Sequence, residues 1–390
     1  MAEPARFKLL LTNPHFHYKS GGVAKTIRAL IAQYSGKVRS CVLSTNSYYS
    51  TKSAGILESA TTKIFLDRIM LSYKKYIVSP CSFIHCMAIH PDIIHVHSYR
   101  NFQGDVAMFF GILSRKPILL TTHASIIERE GTDHTLIFKR LYDFFLKPVY
   151  SRFVRLWLVT SKDEGIDLET YFKRSLPVLK IPLGTELSPP IAPSDVEAFV
   201  KTHGLQGKFV ISYVGRLVEN KGVQFVIKAL QVVRKIIPNI LFLIIGADDG
   251  YLNHINDMIK KLDVGENVRY LGFLRRTPKE FYAAYTASDA IIYPTKTENF
   301  GYVFIEAASL SKPIITSSRF TDVFNPSDVF FFNYGDVDAL AGKILQVFNE
   351  PQAAIERAQR FHQKVLGMRN WSDVARIHEK IYQFLLNSKK

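Results

Sequence analysis

Cysteine is scarce in this chain, with three among 390 residues, at Cys41, Cys81 and Cys86. Three thiols so unevenly placed cannot build the disulfide framework of a secreted domain, which points to a reducing cytoplasm. Cys81 and Cys86 with His85 and His90 nearby superficially suggest a metal cluster. Their spacing matches no usual zinc arrangement and no second cysteine pair follows, so no metal site is expected. Long apolar runs are missing too, since none approaches the roughly 20 residues needed to cross a bilayer. The start, Met1-Ala2-Glu3-Pro4-Ala5-Arg6, passes directly into Leu9-Leu10-Leu11. It offers no basic region followed by a cleavage site, and no signal peptide is expected. Zinc-finger, basic-zipper and aromatic RNP motifs do not occur either, which counts against a nucleic-acid partner.

Acid is short in one half only. Residues 1–185 hold 25 Lys+Arg against 13 Asp+Glu, a balance of +12, whereas residues 186–390 hold 25 against 21, a balance of +4. A basic first half suits an anionic partner such as acidic lipid headgroups or a phosphate-bearing substrate. The plainer alternative is a protein that is simply basic throughout. With 390 residues, 47% of them hydrophobic, the chain fits two domains of roughly 150–200 residues with ample material for two cores.

Strand, turn and helix alternate along the first half. Residues 7–12 read as a strand that runs into a polar turn ending in Gly21-Gly22, and residues 23–34 as a helix. A glycine pair before a helix lets backbone approach a ligand and opens the helix N-terminus toward it, although such pairs are common. Further strands are expected at 37–43, 92–97, 117–122, 156–160 and 177–181. Residues 60–90 are less regular, basic and aromatic. That composition describes a membrane-surface segment or an ordinary helix packed on a sheet, and ordinary packing is the reading adopted. Residues 136–154 form a basic, aromatic helical stretch. His123 follows a strand at its carboxyl end, the ligand side of an α/β sheet, while His95 and His97 read as structural hydrogen-bonders.

A Pro- and Ser-rich connection at 182–194 separates the halves. Strands resume at 209–214, 240–245, 268–271, 289–293 and 314–316, with 329–332 as an edge. The stretch at 290–306 carries most of the chemistry. It reads as a buried strand, then the turn Pro294-Thr295-Lys296-Thr297-Glu298-Asn299-Phe300-Gly301, then a helix from Tyr302 to Leu310. A helix opening near Gly301 presents unpaired N–H groups and a partial positive charge suited to a phosphate. Glu298 and Glu306 would instead take hydroxyl groups on either side of it. If the sheet is parallel, this turn meets Gly215-Arg216-Leu217-Val218-Glu219-Asn220-Lys221, the turn at 246–250 and that at 272–274. Arg216 and Lys221 then bring two cations to the carboxyl edge, where acids or a phosphate must satisfy them.

These stretches resemble glycosyltransferase family 4, a retaining family with the GT-B fold. The likeness rests on Gly21-Gly22-Val23, Thr122-His123-Ala124, Val214-Gly215-Arg216-Leu217 with Asn220-Lys221-Gly222, Leu271-Gly272-Phe273, and Glu298-Asn299-Phe300-Gly301 with Glu306. Ile181-Pro182-Leu183-Gly184 departs from the more usual Pro-Asn-Gly. The resemblance implies two Rossmann-like, doubly wound domains facing each other across a cleft. Residues 1–185 would bind the acceptor and 186–368 the nucleotide-sugar donor. The helix in 369–390 would cross back onto the first domain.

It also implies roles. Arg216 and Lys221 would hold the donor diphosphate and stabilise its growing charge without a metal. Glu306 would take ribose hydroxyls, Glu298 a hydroxyl of the transferred sugar, and the backbone of Asn299, Phe300, Gly301 and Tyr302 sugar and phosphate oxygens. Backbone at Phe273 and Leu274 would pair with the base, Gly21 and Gly22 would close on the diphosphate, and His123 would approach the sugar. The implied activity moves a hexose from a UDP- or GDP-linked sugar to a glycan or lipid-linked acceptor at the cytoplasmic membrane face. The enzyme would be peripheral on an anionic surface and need no cofactor. A sugar-nucleotide epimerase of the same fold and a non-catalytic nucleotide-sugar-binding subunit are the alternatives.

Overall fold

A computed structural model describes residues 7–16, 22–46, 61–73, 76–123, 125–126, 133–296, 298, 300–317 and 323–388. The chain forms two compact units, residues 1–184 with 369–390, and residues 185–368.

In the first unit β1 (Phe7–Thr12) leads to α1 (Gly22–Gln33), then β2 (Val38–Thr45), β3 (Thr62–Asp67) and a hairpin of β4 (Leu71–Tyr73) and β5 (Tyr76–Val78). The path continues through α2 (Cys81–Ile89), β6 (Ile93–His97), α3 (Phe102–Leu113), β7 (Ile118–Thr121), α4 (Asp133–Phe153), β8 (Leu156–Val159), α5 (Lys162–Phe172) and β9 (Val178–Lys180). Seven strands make a parallel sheet in the order β3-β2-β1-β6-β7-β8-β9. All five residues of β6 are buried, as befits a strand with both faces covered.

The second unit comprises α6 (Pro193–Thr202), β10 (Phe209–Val214), α7 (Val223–Val233), β11 (Ile240–Ile245), α8 (Leu252–Lys261), β12 (Val268–Gly272), α9 (Ala283–Thr286), β13 (Ala290–Tyr293) and α10 (Tyr302–Ser309). It closes with β14 (Ile314–Thr316), β15 (Phe330–Phe331), α11 (Val337–Asn349) and α12 (Pro351–Leu366). Its six-stranded parallel sheet runs β12-β11-β10-β13-β14-β15. The expected connection at 182–194 is shorter than read, because Pro193 opens α6, where a missing N–H costs nothing.

A final helix, α13 (Trp371–Asn387), returns to the first unit. The Asn370 side chain caps it by accepting from the Asp373 N–H. Its inward face carries Trp371, Val374, Tyr382 and Leu385, all buried. The Tyr382 hydroxyl lies 2.9 Å from that of Tyr34 and 2.8 Å from His95 Nδ1. The Ser35 N–H donates to Glu379 Oε1 at 2.6 Å.

Residues 60–90 are more regular than their composition suggested. They supply the edge strand β3, the hairpin and α2, and buried Asp67 accepts from the Ser82 hydroxyl and meets His85 Nδ1 at 2.5 Å. Cys86 is buried beside Asp67 and Cys81 is exposed. Among the described residues no group of three or more His, Cys, Asp or Glu is arranged to hold a metal ion.

Candidate active site

In the second sheet β10 lies between β11 and β13. The chain leaves β10 toward one side and β13 belongs to the other, so the turns after β10 and β13 part at this point. Open α/β sheets bind ligands at such a switch point, at the carboxyl ends of the strands. Here the two turns are joined. The Lys296 N–H donates to the Asn220 carbonyl at 2.9 Å. Gly222, at φ +73°, passes so close to Pro294 that a Cβ would lie 1.9 Å from its carbonyl oxygen. Only glycine permits both that backbone and that approach.

A single 3-10 turn, Glu219–Lys221, aims Lys221 inward. The residue is only 9% exposed, and its Nζ lies 2.8 Å from Glu298 Oε2 and 3.3 Å from Thr295 Oγ1. It also sits 5.0 Å from the ring centre of Tyr293, whose hydroxyl donates to the same Glu298 oxygen at 2.7 Å. A sparingly hydrated ammonium and carboxylate are thus neutralised against each other beside an aromatic face.

Arg216, the second cation expected at this edge, has an acid for its partner. It is half-exposed, and its Nη1 pairs with Asp249 Oδ2 at 2.7 Å. Its carbonyl accepts from the buried Tyr213 hydroxyl at 2.7 Å. Asp248 Oδ1 accepts from the N–H groups of Gly250, Tyr251 and Leu252 and so starts α8. The turn at 246–250 is therefore held at both acids, and the Leu217 N–H donates to the Ala247 carbonyl at 2.9 Å.

Glu306, one turn into α10, is buried. Arg276 Nη1 meets its Oε1 at 2.5 Å and the Tyr285 hydroxyl donates to Oε2 at 3.0 Å. The Arg276 guanidinium lies 4.4 Å from the Phe281 ring centre. Gly301, at φ +61°, precedes α10 without a side-chain cap, and the buried Phe300 packs 5.5 Å from the Tyr302 ring. Phe273 is exposed and Leu274 half-buried, just past Gly272 at the end of β12.

The structure therefore joins Lys221 directly to Glu298. It gives Arg216 and Glu306 other partners, Asp249 and Arg276, at the same carboxyl edge. Asn299 and Gly21 lie outside the described residues. Gly22 opens α1 in the first unit. Half-buried His123 follows β7 at φ +47°, with Nε2 2.9 Å from His97 Nδ1. Burial pushes His123 down to about 4, with the charge of Glu164 opposing, so at neutral pH the ring is uncharged. Asp249, Arg276, Tyr285 and Tyr293 escaped the sequence reading. Asp249 lies within the turn at 246–250 and Tyr293 within the stretch at 290–306, without a role assigned to either, whereas Arg276 and Tyr285 fall outside the turns singled out.

Residues 195–366 match the family model of the glycosyl transferases group 1. The matched segment spans the whole constellation from Arg216 to Glu306. This chain is a glycosyltransferase.

Among curated relatives, the glycosyltransferase is 26% identical over 304 residues to a glycogen synthase of Mycobacterium tuberculosis, covering 75% of this chain and 68% of that one. It is 28% identical over 187 residues to a GDP-mannose-dependent monoacylated alpha-(1-6)-phosphatidylinositol monomannoside mannosyltransferase of Corynebacterium glutamicum, covering 44% and 47%. Among solved structures it superposes on Anabaena HepE in complex with UDP-glucose, with a TM-score of 0.79 and 18% identity over 97% of this chain and all of that one. That likeness, together with the two parallel sheets, shows the α/β GT-B fold of the glycosyltransferase. Neither the epimerase nor the non-catalytic reading is favoured by these relatives.

Proposed function

We propose that the glycosyltransferase is a retaining, family 4 enzyme that transfers a hexose from a UDP- or GDP-linked sugar to a glycan or lipid-linked acceptor at the cytoplasmic face of a membrane. The observation that carries this reading is the Lys221–Glu298 pair at the β10/β13 switch point, 2.8 Å across and beside the start of α10. A diphosphate entering there would draw Lys221 and Arg216 from their carboxylate partners and release Glu298 toward a sugar hydroxyl. The two cations would then meet the charge that grows on the leaving diphosphate, a role that calls for no metal. Glu306, oriented by Arg276 and Tyr285, would accept from the ribose hydroxyls, since a carboxylate offers about four acceptor positions. Backbone at Phe273 and Leu274 would meet the base. The first unit would bring the acceptor, and Gly22 and a neutral His123 are its candidate contributors to binding.

Retention would follow from a front-face reaction in which the departing phosphate oxygen takes the acceptor proton as the new glycosidic bond forms. Glu298 would not act as a nucleophile. UDP-glucose in HepE and GDP-mannose in the name of the Corynebacterium relative support a nucleotide hexose without choosing the base. Thermal unfolding with UDP-, GDP- and ADP-sugars tests the donor, because a ligand at 100 times its dissociation constant adds about 2.7 kcal/mol. A stabilisation by one base series is expected, and none by any would overturn the reading. The anomeric configuration of the isolated product tests retention, and inversion would refute it.

A further inference from the structure

We propose that the outward face of α4 docks the enzyme on an anionic bilayer. An amphipathic helix on a sheet ordinarily turns its polar side to water, and α4 does so only in part. Its inner side is anchored through Tyr142 and Tyr150, whose hydroxyls donate to buried Asp105 of α3, and through Phe138, 5.3 Å from the Tyr76 ring of β5. The other side presents Ile137, Leu141, Phe144 and Phe145, which are 69%, 58%, 74% and 62% exposed. They fall at helical spacing along one stripe. The rings of Phe144 and Phe145 meet edge to face at 5.1 Å, forming a protruding aromatic pair. Arg140 and Arg152 are exposed along the same stripe, whereas Asp143 lies on the inner side of the helix, paired with Arg100 at 2.8 Å. Large apolar side chains bordered by arginine on a helix lying flat at a surface are the pattern of an interfacial helix.

Charge selects the occupant. The 25 Lys+Arg against 13 Asp+Glu of residues 1–185 make this unit strongly basic. A second copy would bring the same positive face against itself, whereas an anionic leaflet attracts it. Exposure continues next to α4. Met70 and Leu71, at the hairpin whose Tyr76 touches Phe138, are 68% and 59% exposed. No helix among the described residues is long and apolar enough to cross a membrane, so α4 would hold the enzyme on the surface. The inference deepens the membrane-face part of the proposed function, and its test needs neither donor nor acceptor.

The full-length protein is sedimented with vesicles of phosphatidylcholine alone and with about 30% phosphatidylglycerol added. Binding to the anionic vesicles is expected, weakening as salt is raised toward about 1 M, where the Debye length falls to about 3 Å. F144S/F145S removes the anchors without adding negative charge and should weaken binding by about tenfold or more while leaving the thermal midpoint in place. R140Q/R152Q should flatten the salt dependence. Absence of binding by the wild type, equal binding to neutral vesicles, or full binding by folded F144S/F145S would each overturn the proposal. So would a lipid-free dimer that F144S/F145S turns into a monomer, since a second copy would then occupy the face. A normal thermal shift with nucleotide sugar alongside failed vesicle binding would leave the donor reading standing and remove only this one.

Discussion

Lys221 and Glu306 illustrate two ways of placing charge out of water. Lys221 shares Glu298 with the Tyr293 hydroxyl, an arrangement that a more strongly attracting anion can displace. Lys221→Ala should therefore reduce donor affinity or turnover roughly 10- to 150-fold, the equivalent of about 1.5–3 kcal/mol for a charged hydrogen bond; unchanged steady-state kinetics would dismiss its phosphate role. Glu306 is fixed by Arg276 and Tyr285 on opposite oxygens. Arg276→Ala strands a buried carboxylate and should lower stability by about 1–3 kcal/mol in urea unfolding. Adding Glu306→Gln should recover part of the loss, because an amide needs no cation, and strict additivity of the two changes would mean they are not coupled. Glu298, Glu306, Arg216 and Lys221 were legible as a set because acids and bases stood at the ends of recognisable strands. Asp249, Arg276 and Tyr285 were not, since which polar residue reaches across a turn depends on backbone paths that residue spacing does not encode.

At the level of elements, strands and their order follow from apolar runs separated by turn residues, which is why β10, β11 and β14 match their expected limits. The hairpin β4–β5 and the orientation of α4 were hidden. Short strands give little periodicity, and an aromatic-basic helix reads alike whether its apolar side faces a core or a lipid. Gly184 shows how tightly α13 is seated. A Cβ there would lie 2.5 Å from the Trp371 ring and 2.8 Å from its Cα. Gly184→Ala should push the start of α13 away, costing about 1–3 kcal/mol and red-shifting the emission of buried Trp371. Gly342→Ala supplies the contrast. It lies inside α11 with nothing within 4 Å of the added carbon, and should raise stability by about 0.5–1 kcal/mol. Thermal melts of the two variants should move in opposite directions, and a shared direction would contradict one of these packing arguments.

On the scale of the whole molecule, acid should act first on the unit that contains four stacked or bonded histidines. Burial lowers His95 and His97 well below 6.5, and brings His123 and His378 down to about 4. Below pH 6.5 these groups bind protons when unfolded but not when folded, so stability is complete above that pH and declines as pH falls toward 4. Asp105 works the other way. Burial raises it to about 6, so its contribution is greatest at low pH and fades as pH rises through 6. Burial raises Asp67 and Asp167 as well. Four histidines against three carboxylates predict a lower thermal midpoint at pH 5 than at pH 7, and a flat profile would show that the two sets cancel. Tryptophan emission isolates the event, because the two tryptophans, Trp157 and Trp371, both belong to this unit.

The division of that unit along the chain has a consequence for its synthesis. A ribosome makes β1 to β9 first, then all of residues 185–368, and only afterwards the helix that supplies Tyr382 to Tyr34 and His95. At about 5–20 residues per second the interval is roughly 10–40 s. For that time the nascent sheet carries its histidines without their cover, while the second unit has every one of its strands in hand and is free to fold. The half that emerges first is thus the half completed last.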